Sequence, residues 1–394
     1  MKLKQALSVN IVLLLLLSTS VQAFESLIEF GADGRVFSQP GPPPTSSEYF
    51  SLSLRPKFTH QIESQGIYLT FEPFFRWDQQ DDERSHADIG EFKAIKVFDQ
   101  WELEAGTSKV FWGVAESRHL VDIINQTDTL EGIDGEDKLG QPLLRLSRIF
   151  EQTTLDAYVL PGFRAREFLG SESRFSLPFE VDSDQAVYES DKGDDHVDFA
   201  LRYSGYAGQA DYGLSWFKGT SRRPQFIPSS TPGVMLPYYE QIERIGVDVQ
   251  YTVEAWLWKL EAIRQDSKQP AFSAVVGGLE YTLFNMQGGL YDLGLLAEYN
   301  YDSRDNAQII VLQNDVFIAT RFAFTDAASS AILAGAFVDM DDDSRIFRVE
   351  ASRRIFSDVT ISLEAQVFSQ IDPGNVSYVF RDNDFIRLDM AWYF

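Results

Sequence analysis

"DVTISLEAQVFSQ", residues 358–370, places Val359, Ile361, Leu363, Ala365 and Val367 on alternate positions, with Thr360, Ser362, Glu364 and Gln366 between them. Successive side chains of an extended strand point to opposite faces, so a period of two describes a strand with one apolar and one polar face. The pattern recurs along the chain. In residues 49–59 Phe50, Leu52, Leu54 and Phe58 oppose Ser51, Ser53, Arg55 and Lys57; in 66–78 Ile67, Leu69, Phe71, Phe75 and Trp77 oppose Tyr68, Thr70, Glu72 and Arg76. Trp256, Trp258 and Leu260 alternate with Lys259 and Glu261, and Phe347, Val349 and Ala351 with Arg348, Glu350 and Ser352.

Two architectures produce such strands. A soluble sandwich buries its apolar faces in a core, whereas a membrane barrel turns them to lipid and its polar faces to a lumen. The connections separate the two. Tight turns (63–66, 98–100, 151–154, 205–210, 253–255, 285–289, 325–329, 356–358) alternate with mostly longer, more polar stretches such as "SQPGPPPTSS", "DQQDDERSHAD", 113–140, 162–195 and 220–240. Short periplasmic turns against longer outer loops are the pattern of an outer-membrane barrel. Aromatics near strand ends (Tyr49, Phe74, Phe75, Trp77, Trp101, Trp112, Tyr158, Tyr299, Tyr301) fit interfacial girdles. The expected fold is therefore all-β: a transmembrane, antiparallel, up-and-down β-barrel of about 18 strands, range about 14–18 and even in number. The expected strands run over 24–37, 48–61, 66–77, 88–97, 100–112, 141–150, 153–161, 196–205, 209–219, 241–252, 255–266, 272–285, 288–301, 309–324, 328–339, 344–356, 358–370 and 380–394.

Composition narrows the function classes. The formal charge is −25, which argues against nucleic acid as a partner. The absence of cysteine excludes disulfides and thiolate metal sites. "MKLK", the apolar run Ile11–Leu17 and the ending Val21-Gln22-Ala23 read as a cleaved secretory signal peptide, residues 1–23. The remainder, 24–394, reads as one barrel domain.

The chain ends on "FIRLDMAWYF" (385–394), with Leu388, Met390, Trp392 and Phe394 on one face. This resembles the C-terminal assembly signal of Gram-negative outer-membrane proteins. The resemblance implies recognition of the last strand by the barrel-assembly machinery and a place in the bacterial outer membrane, among outer-membrane lipid and lipopolysaccharide. The whole chain resembles a porin-type barrel, with homo-oligomers possible in that class. "KVFWGVAESRHLVDIINQTDT" (109–129) is also similar to a Trp-Gly segment followed by an Asn-rich turn in some uncharacterised porin-like families; it implies no substrate.

The stretch 113–140 is the leading functional candidate, because Leu120, Val121, Ile123 and Ile124 are too apolar for a solvated loop tip. It is expected to fold inward as a constriction, with a short helix at about 116–125 and the acidic residues Asp128, Glu131, Asp134, Glu136 and Asp137 near the opening. The alternation assigns Arg55, Lys57, Glu72, Arg76, Lys259, Glu261, Arg348, Glu350, Arg354 and Arg387 to the lumen, with Lys96, Glu104, Arg202, Glu298, Glu364 and Asp389. Charges on a lumen wall bias what passes by short-range Coulomb attraction. The acidic runs "DQQDDERSHAD", "DSDQAVYESDKGDD" and "DMDDD" lack calcium-loop spacing and read as solvated loops. No hydrolase, metalloprotease or nucleotide motif is present, and His60, His86, His119 and His196 carry no recognisable nucleophile partner. The chain is read as non-enzymatic, without catalytic residues, metal or cofactor. The expected function is a porin-like outer-membrane channel for passive diffusion of small hydrophilic solutes or ions. The alternatives are a non-enzymatic barrel for lipid or polymer export or with a structural or adhesive role, and an outer-membrane hydrolase.

Overall fold

The computed structural model describes residues 24–304 and 311–394; the expected signal peptide lies outside the described residues. Eighteen strands form one sheet: β1 Phe24–Phe37, β2 Glu48–Ile62, β3 Ile67–Asp78, β4 Ala87–Phe98, β5 Trp101–Ser108, β6 Gln141–Ile149, β7 Thr153–Pro161, β8 Val197–Ala207, β9 Ala210–Thr220, β10 Gln241–Val253, β11 Trp256–Asp266, β12 Phe272–Asn285, β13 Tyr291–Asp302, β14 Asn314–Phe324, β15 Ala331–Asp339, β16 Arg345–Phe356, β17 Val359–Ser369 and β18 Phe385–Tyr393. Each pairs antiparallel with its chain neighbours, and β1 pairs with β18 from Glu29↔Tyr393 to Phe37↔Phe385, so the sheet closes. Closure leaves no strand edge unpaired, as a bilayer requires.

Turns at 63–66, 99–100, 150–152, 208–209, 254–255, 286–290, 325–330 and 357–358 lie at one end with both strand termini of the closing seam. The connections 38–47, 79–86, 109–140, 162–196, 221–240, 267–271, 340–344 and 370–384, with the described residues 303–304 and 311–313, lie at the other. All eighteen expected strands are present. β5 stops at Ser108 rather than 112, and β18 starts at Phe385 rather than 380, because Val376–Phe380 is a 3-10 helix capped by Asn375, whose side chain accepts from the Ser377 N–H.

The outward faces are apolar and exposed: Leu54, Phe71, Leu146, Leu201, Leu214, Ile245, Trp258, Leu295, Ile318, Phe347 and Leu388 are among them. Such a belt is stable against lipid and costly against water. Phe75, Trp77, Tyr299 and Tyr301 are outward, in keeping with a girdle. Tyr49, Phe74, Trp112 and Tyr158 are not; all four are buried inside, where they pack against loops. Period two identifies a face but not what covers it, and here the inner face is itself covered.

That inner cover is the core of the molecule. Trp112, Ala115, Leu120, Val121, Ile123 and Ile124 of the long connection 109–140 pack on Leu143, Tyr158, Leu160, Ala200, Phe217, Ile242, Ile263, Phe272, Ala274 and Val276 of β6–β12. Burying each large side chain contributes about 1.5–3 kcal/mol. Over the long-loop end, 225–228 and 234–239 form a hairpin joined by the short segments 180–181 and 187–188.

Leu214 is mid-strand, outward and 51% exposed. Replacing it with Arg is expected to destabilise the bilayer-inserted barrel by about 2–4 kcal/mol, read from denaturant titration in lipid. The same change at Ser362, which lines the interior cavity, should cost much less.

Candidate functional site

The connection 109–140 leaves β5 and enters the lumen through one buried amide. Asn125 Nδ2 donates to Ser108 O and to Leu139 O, each at 2.8 Å, while its Oδ1 accepts from Val110 N at 2.8 Å. Outgoing limb, returning limb and barrel rim are thereby tied at one residue. Trp112 then packs edge-on against Tyr158 (5.7 Å), with the Arg202 guanidinium 5.1 Å from its ring centre. Gly113 has φ +146, and a Cβ there would lie 3.0 Å from both Glu261 Oε1 and His119 Nδ1, so only glycine lets the chain turn this close to the wall.

The expected helix at 116–125 does not form. Its place is taken by irregular backbone whose N–H groups are bonded by wall carboxylates instead of by a helix's own carbonyls. Glu261 of β11 accepts from Val114 N (2.7 Å), Ala115 N (2.9 Å) and Val121 N (3.2 Å). Glu298 of β13 accepts from Glu116 N (2.9 Å), Ser117 N (2.8 Å) and Ser117 Oγ (2.6 Å), and Asn300 Nδ2 donates to that hydroxyl. Glu261 is fully buried and Glu298 2% exposed. Buried carboxylates persist only when hydrogen-bonded or paired, and bonds to a charged acceptor contribute about 1.5–3 kcal/mol each.

The returning limb is a hairpin. Asp128 N donates to Asp137 O and Leu139 N to Gln126 O, with Thr127 bridged to Lys138. Its tip reaches the opposite wall. Glu131 takes a bidentate bond from Arg76 (2.7 and 2.6 Å), Arg76 also pairs with Asp33 of β1 at 2.6 Å, and Arg84 Nε donates to Leu130 O. Asp134 accepts from Arg348 of β16 at 2.7 Å. The loop therefore contacts β11 and β13 at one end, β3 and β16 at the other. Beside it, a cavity of about 370 Å³ is bordered by Glu116 of the loop and by Arg321, Arg348, Glu350, Glu364 and Asp389 of β14–β18.

Of the acidic residues expected near the opening, Asp128 and Glu131 are buried, while Asp134, Glu136 and Asp137 are exposed. Burial, then the neighbouring Glu131, pushes the Asp128 carboxyl up to about 6. Arg76 outweighs burial at Glu131 and holds it below the ordinary range. The wall charges sort by partner. Arg55 lies 4.9 Å from the Phe74 ring centre; Lys57 pairs with Glu72 at 3.1 Å; Lys259 lies 3.7 Å from Glu116. Arg348 pairs with Glu350, and Arg387 with Asp389 and more distantly with Glu364. Glu261 is consumed as an anchor. Arg354 sits at the short-turn rim, exposed and donating to Ser329 Oγ. In the C-terminal strand Leu388 and Phe394 are exposed, Met390 and Trp392 half-buried.

Three of the histidines have partners other than nucleophiles. His196 faces Asp198, His86 Nδ1 faces Arg84 O, and His119 faces Glu136 at 3.2 Å and Glu261 at 4.0 Å; His60 Nδ1 is buried without a partner. Ser117 is engaged by Glu298 and not by His119. Residues overlooked in the sequence include Asn125 and the arginines 84, 118, 166, 222, 223 and 304. The adjacent pair Arg222-Arg223 in an acidic chain was a signal for those two alone.

Removing the Arg76 side chain leaves Glu131 buried without its bidentate partner, while Asp33 keeps Arg84, Arg387 and Ser51. Arg76→Ala should weaken the loop's hold by about 3–5 kcal/mol, seen as lost hydrogen-exchange protection across 126–139. His119 gives a pH test. Burial alone would lower it, but Glu136 and Glu261 raise it from 6.5 to about 10. A folded pKa above the unfolded one means the contribution is complete below about 6.5 and is lost as pH rises through about 10. Protease nicking within 113–140 should increase over that window in the native chain, and His119→Gln should remove the step.

The sequence matches no protein-family model and no curated protein sequence. In fold it is similar to solved barrels. OccK5 (OpdH) of Pseudomonas aeruginosa is 10% identical with TM-score 0.56, over 94% of this chain and 97% of that one. OprB of Pseudomonas putida is 9% identical with TM-score 0.51, over 94% of each chain. Wzi of Escherichia coli, an outer-membrane protein involved in group 1 capsule assembly and a carbohydrate-binding β-barrel, is 10% identical with TM-score 0.53, over 92% and 83%. With its closed sheet, alternating connections and apolar outer belt, the chain is an 18-stranded antiparallel barrel of the outer-membrane, porin-like fold.

Proposed function

We propose that the protein is a porin-like channel of the bacterial outer membrane, exported with residues 1–23 as a cleaved signal peptide and assembled through Leu388, Met390, Trp392 and Phe394. It passes small hydrophilic solutes or ions by diffusion. The single observation that carries this reading is the cavity that stays unfilled beside the loop. The loop covers the apolar inner sector of β6–β12, while the polar sector of β14–β18 borders a cavity of about 370 Å³. A plug would fill that space, whereas a constriction crosses the lumen and leaves it beside the loop. Asp134, Glu136 and Asp137 border the path in this reading, with both signs of charge on its wall. Orientation follows from the connections, long loops outside and short turns in the periplasm.

Purified protein in planar bilayers should give discrete steps of current, and deletion of 116–137 should raise the step size several-fold, with gel mobility before and after heating confirming that both barrels are folded. Folded barrels that carry no current, with or without that segment, would overturn the channel reading.

A further inference from the structure

Among the described strands, each neighbouring pair is joined by a turn or connection of the chain, except β1 and β18, which are its two ends. A pair joined by a turn closes a short loop, whereas the seam closes a loop as long as the barrel domain, which costs more entropy. The seam's inner face adds to this. Asp33 stands directly opposite Asp389, and Arg35 opposite Arg387. Like charges placed so destabilise a strand pair. Arg387 relieves the first opposition by reaching Asp389 at 2.6 Å and Asp33 at 3.8 Å. Arg35 Nε is buried with no hydrogen-bond partner among the described residues. Its guanidinium lies 4.8 Å from the Phe385 ring centre and 5.3 Å from that of Phe175, where it gains from the faces of both rings.

Phe175 comes from neither strand. It belongs to the connection 162–196, which leaves β7, touches the inward loop where Arg166 donates to Gln126, and reaches the connection 79–86, where Gly170 N donates to Asp81 at 3.0 Å. The next residues seat on the long-loop end of the seam. There Ser38 N donates to Asp384 O at 2.9 Å, and beyond that bond the two chains part into 38–47 and 370–384. Arg174 bridges the parting. It donates to Gln39 O at 2.5 Å on the β1 side, and to Asp382 O at 2.6 Å and Asn383 Oδ1 at 2.8 Å on the β18 side. Asn383 Nδ2 returns a bond to Arg174 O, the Arg174 N–H donates to the Tyr49 hydroxyl of β2, and the guanidinium lies 4.4 Å from the Phe37 ring centre. Phe175 packs across the seam, its ring centre 5.7 Å from that of Phe37 on β1 and 5.5 Å from that of Phe385 on β18. Arg174, Phe175 and Asn383 are all buried.

These partners come within reach of one side chain only when β18 has met β1. Contacts made in the closed state alone shift the equilibrium toward it. We propose that residues 169–176 are a clasp that locks the closing seam, so that a barrel deprived of the clasp opens first along β1 and β18. The clasp takes the place of the turn that this one strand pair lacks. It goes beyond the channel reading and does not require an open path.

The test is backbone hydrogen exchange, read by mass spectrometry on the full mature chain folded in detergent. Arg174→Ala combined with Phe175→Ala should speed exchange at 29–37 and 385–393 at least about tenfold and leave β12 and β13 as they are. A disulfide supplies the second arm. The chain has no cysteine, and Val36 and Ile386 are register partners across the seam, both exposed on its outward face. Register partners lie close enough for a disulfide. Val36→Cys with Ile386→Cys, added to the alanine variant, should restore slow exchange when oxidised and not when reduced. Should the double alanine variant not fold, Arg174→Gln is read in the same way. Unchanged seam protection in a folded variant, protection lost equally in β12 and β13, or an oxidised disulfide that restores nothing would each overturn the clasp. Because exchange needs no current, a conducting barrel with an unclasped seam would sink this proposal alone.

Discussion

Two buried carboxylates decide where the interior of this barrel is filled. A loop that enters a lumen carries its backbone N–H groups with it, and each must find an acceptor or pay the cost of desolvation. A helix would satisfy most of them internally. This loop has no helix, and Glu261 and Glu298 take that role from the wall. The bonds run both ways in effect, since the same N–H groups are what allow the two carboxylates to be buried away from water. Neither partner is stable in its place without the other.

The wall is matched to this arrangement. An outer-membrane barrel usually presents a polar inner face, yet β6–β12 present Leu143, Leu160, Phe217, Ile242, Ile263 and Val276 inward. Left wet, that sector would cost the apolar contribution that folding normally gains. The loop's Leu120, Val121, Ile123 and Ile124 remove it from water. The opposite sector, β14–β18, keeps its charges, and the cavity lies there. The position of the cavity is thus a consequence of which inner faces are apolar.

Most of the fold was legible in the sequence, because period two and alternating connection length are local properties. The strands from 24–37 to 358–370 needed only small boundary changes. What was not legible depends on distant partners. Nothing in "WKLEA" distinguishes Glu261 as an anchor rather than a lumen charge, since the N–H groups it holds lie some 140 residues earlier. Tyr49, Phe74, Trp112 and Tyr158 looked like girdle aromatics because strand-end position is visible in sequence and inward direction beneath a loop is not. The clasp needs three separate connections to meet, which no single window contains.

The loop's two halves are held by different forces, and this shapes how it can move. Its seat, 112–125, rests on apolar packing and on backbone bonds to buried carboxylates. Such contacts are dry and little affected by salt. Its tip, 128–138, is held by Arg76, Arg84 and Arg348, of which Arg348 lines the cavity. Ion pairs with some solvent access weaken under screening and with protonation of their carboxylates. The Asp134–Arg348 pair, about a quarter exposed on each side, is the softest of these links, whereas Glu131–Arg76 is nearly dry. Fluctuation should therefore begin at 132–137 while the seat remains fixed. Since Asp134 bonds Arg348 of the cavity wall, motion of that short segment changes the space beside the loop without unseating it.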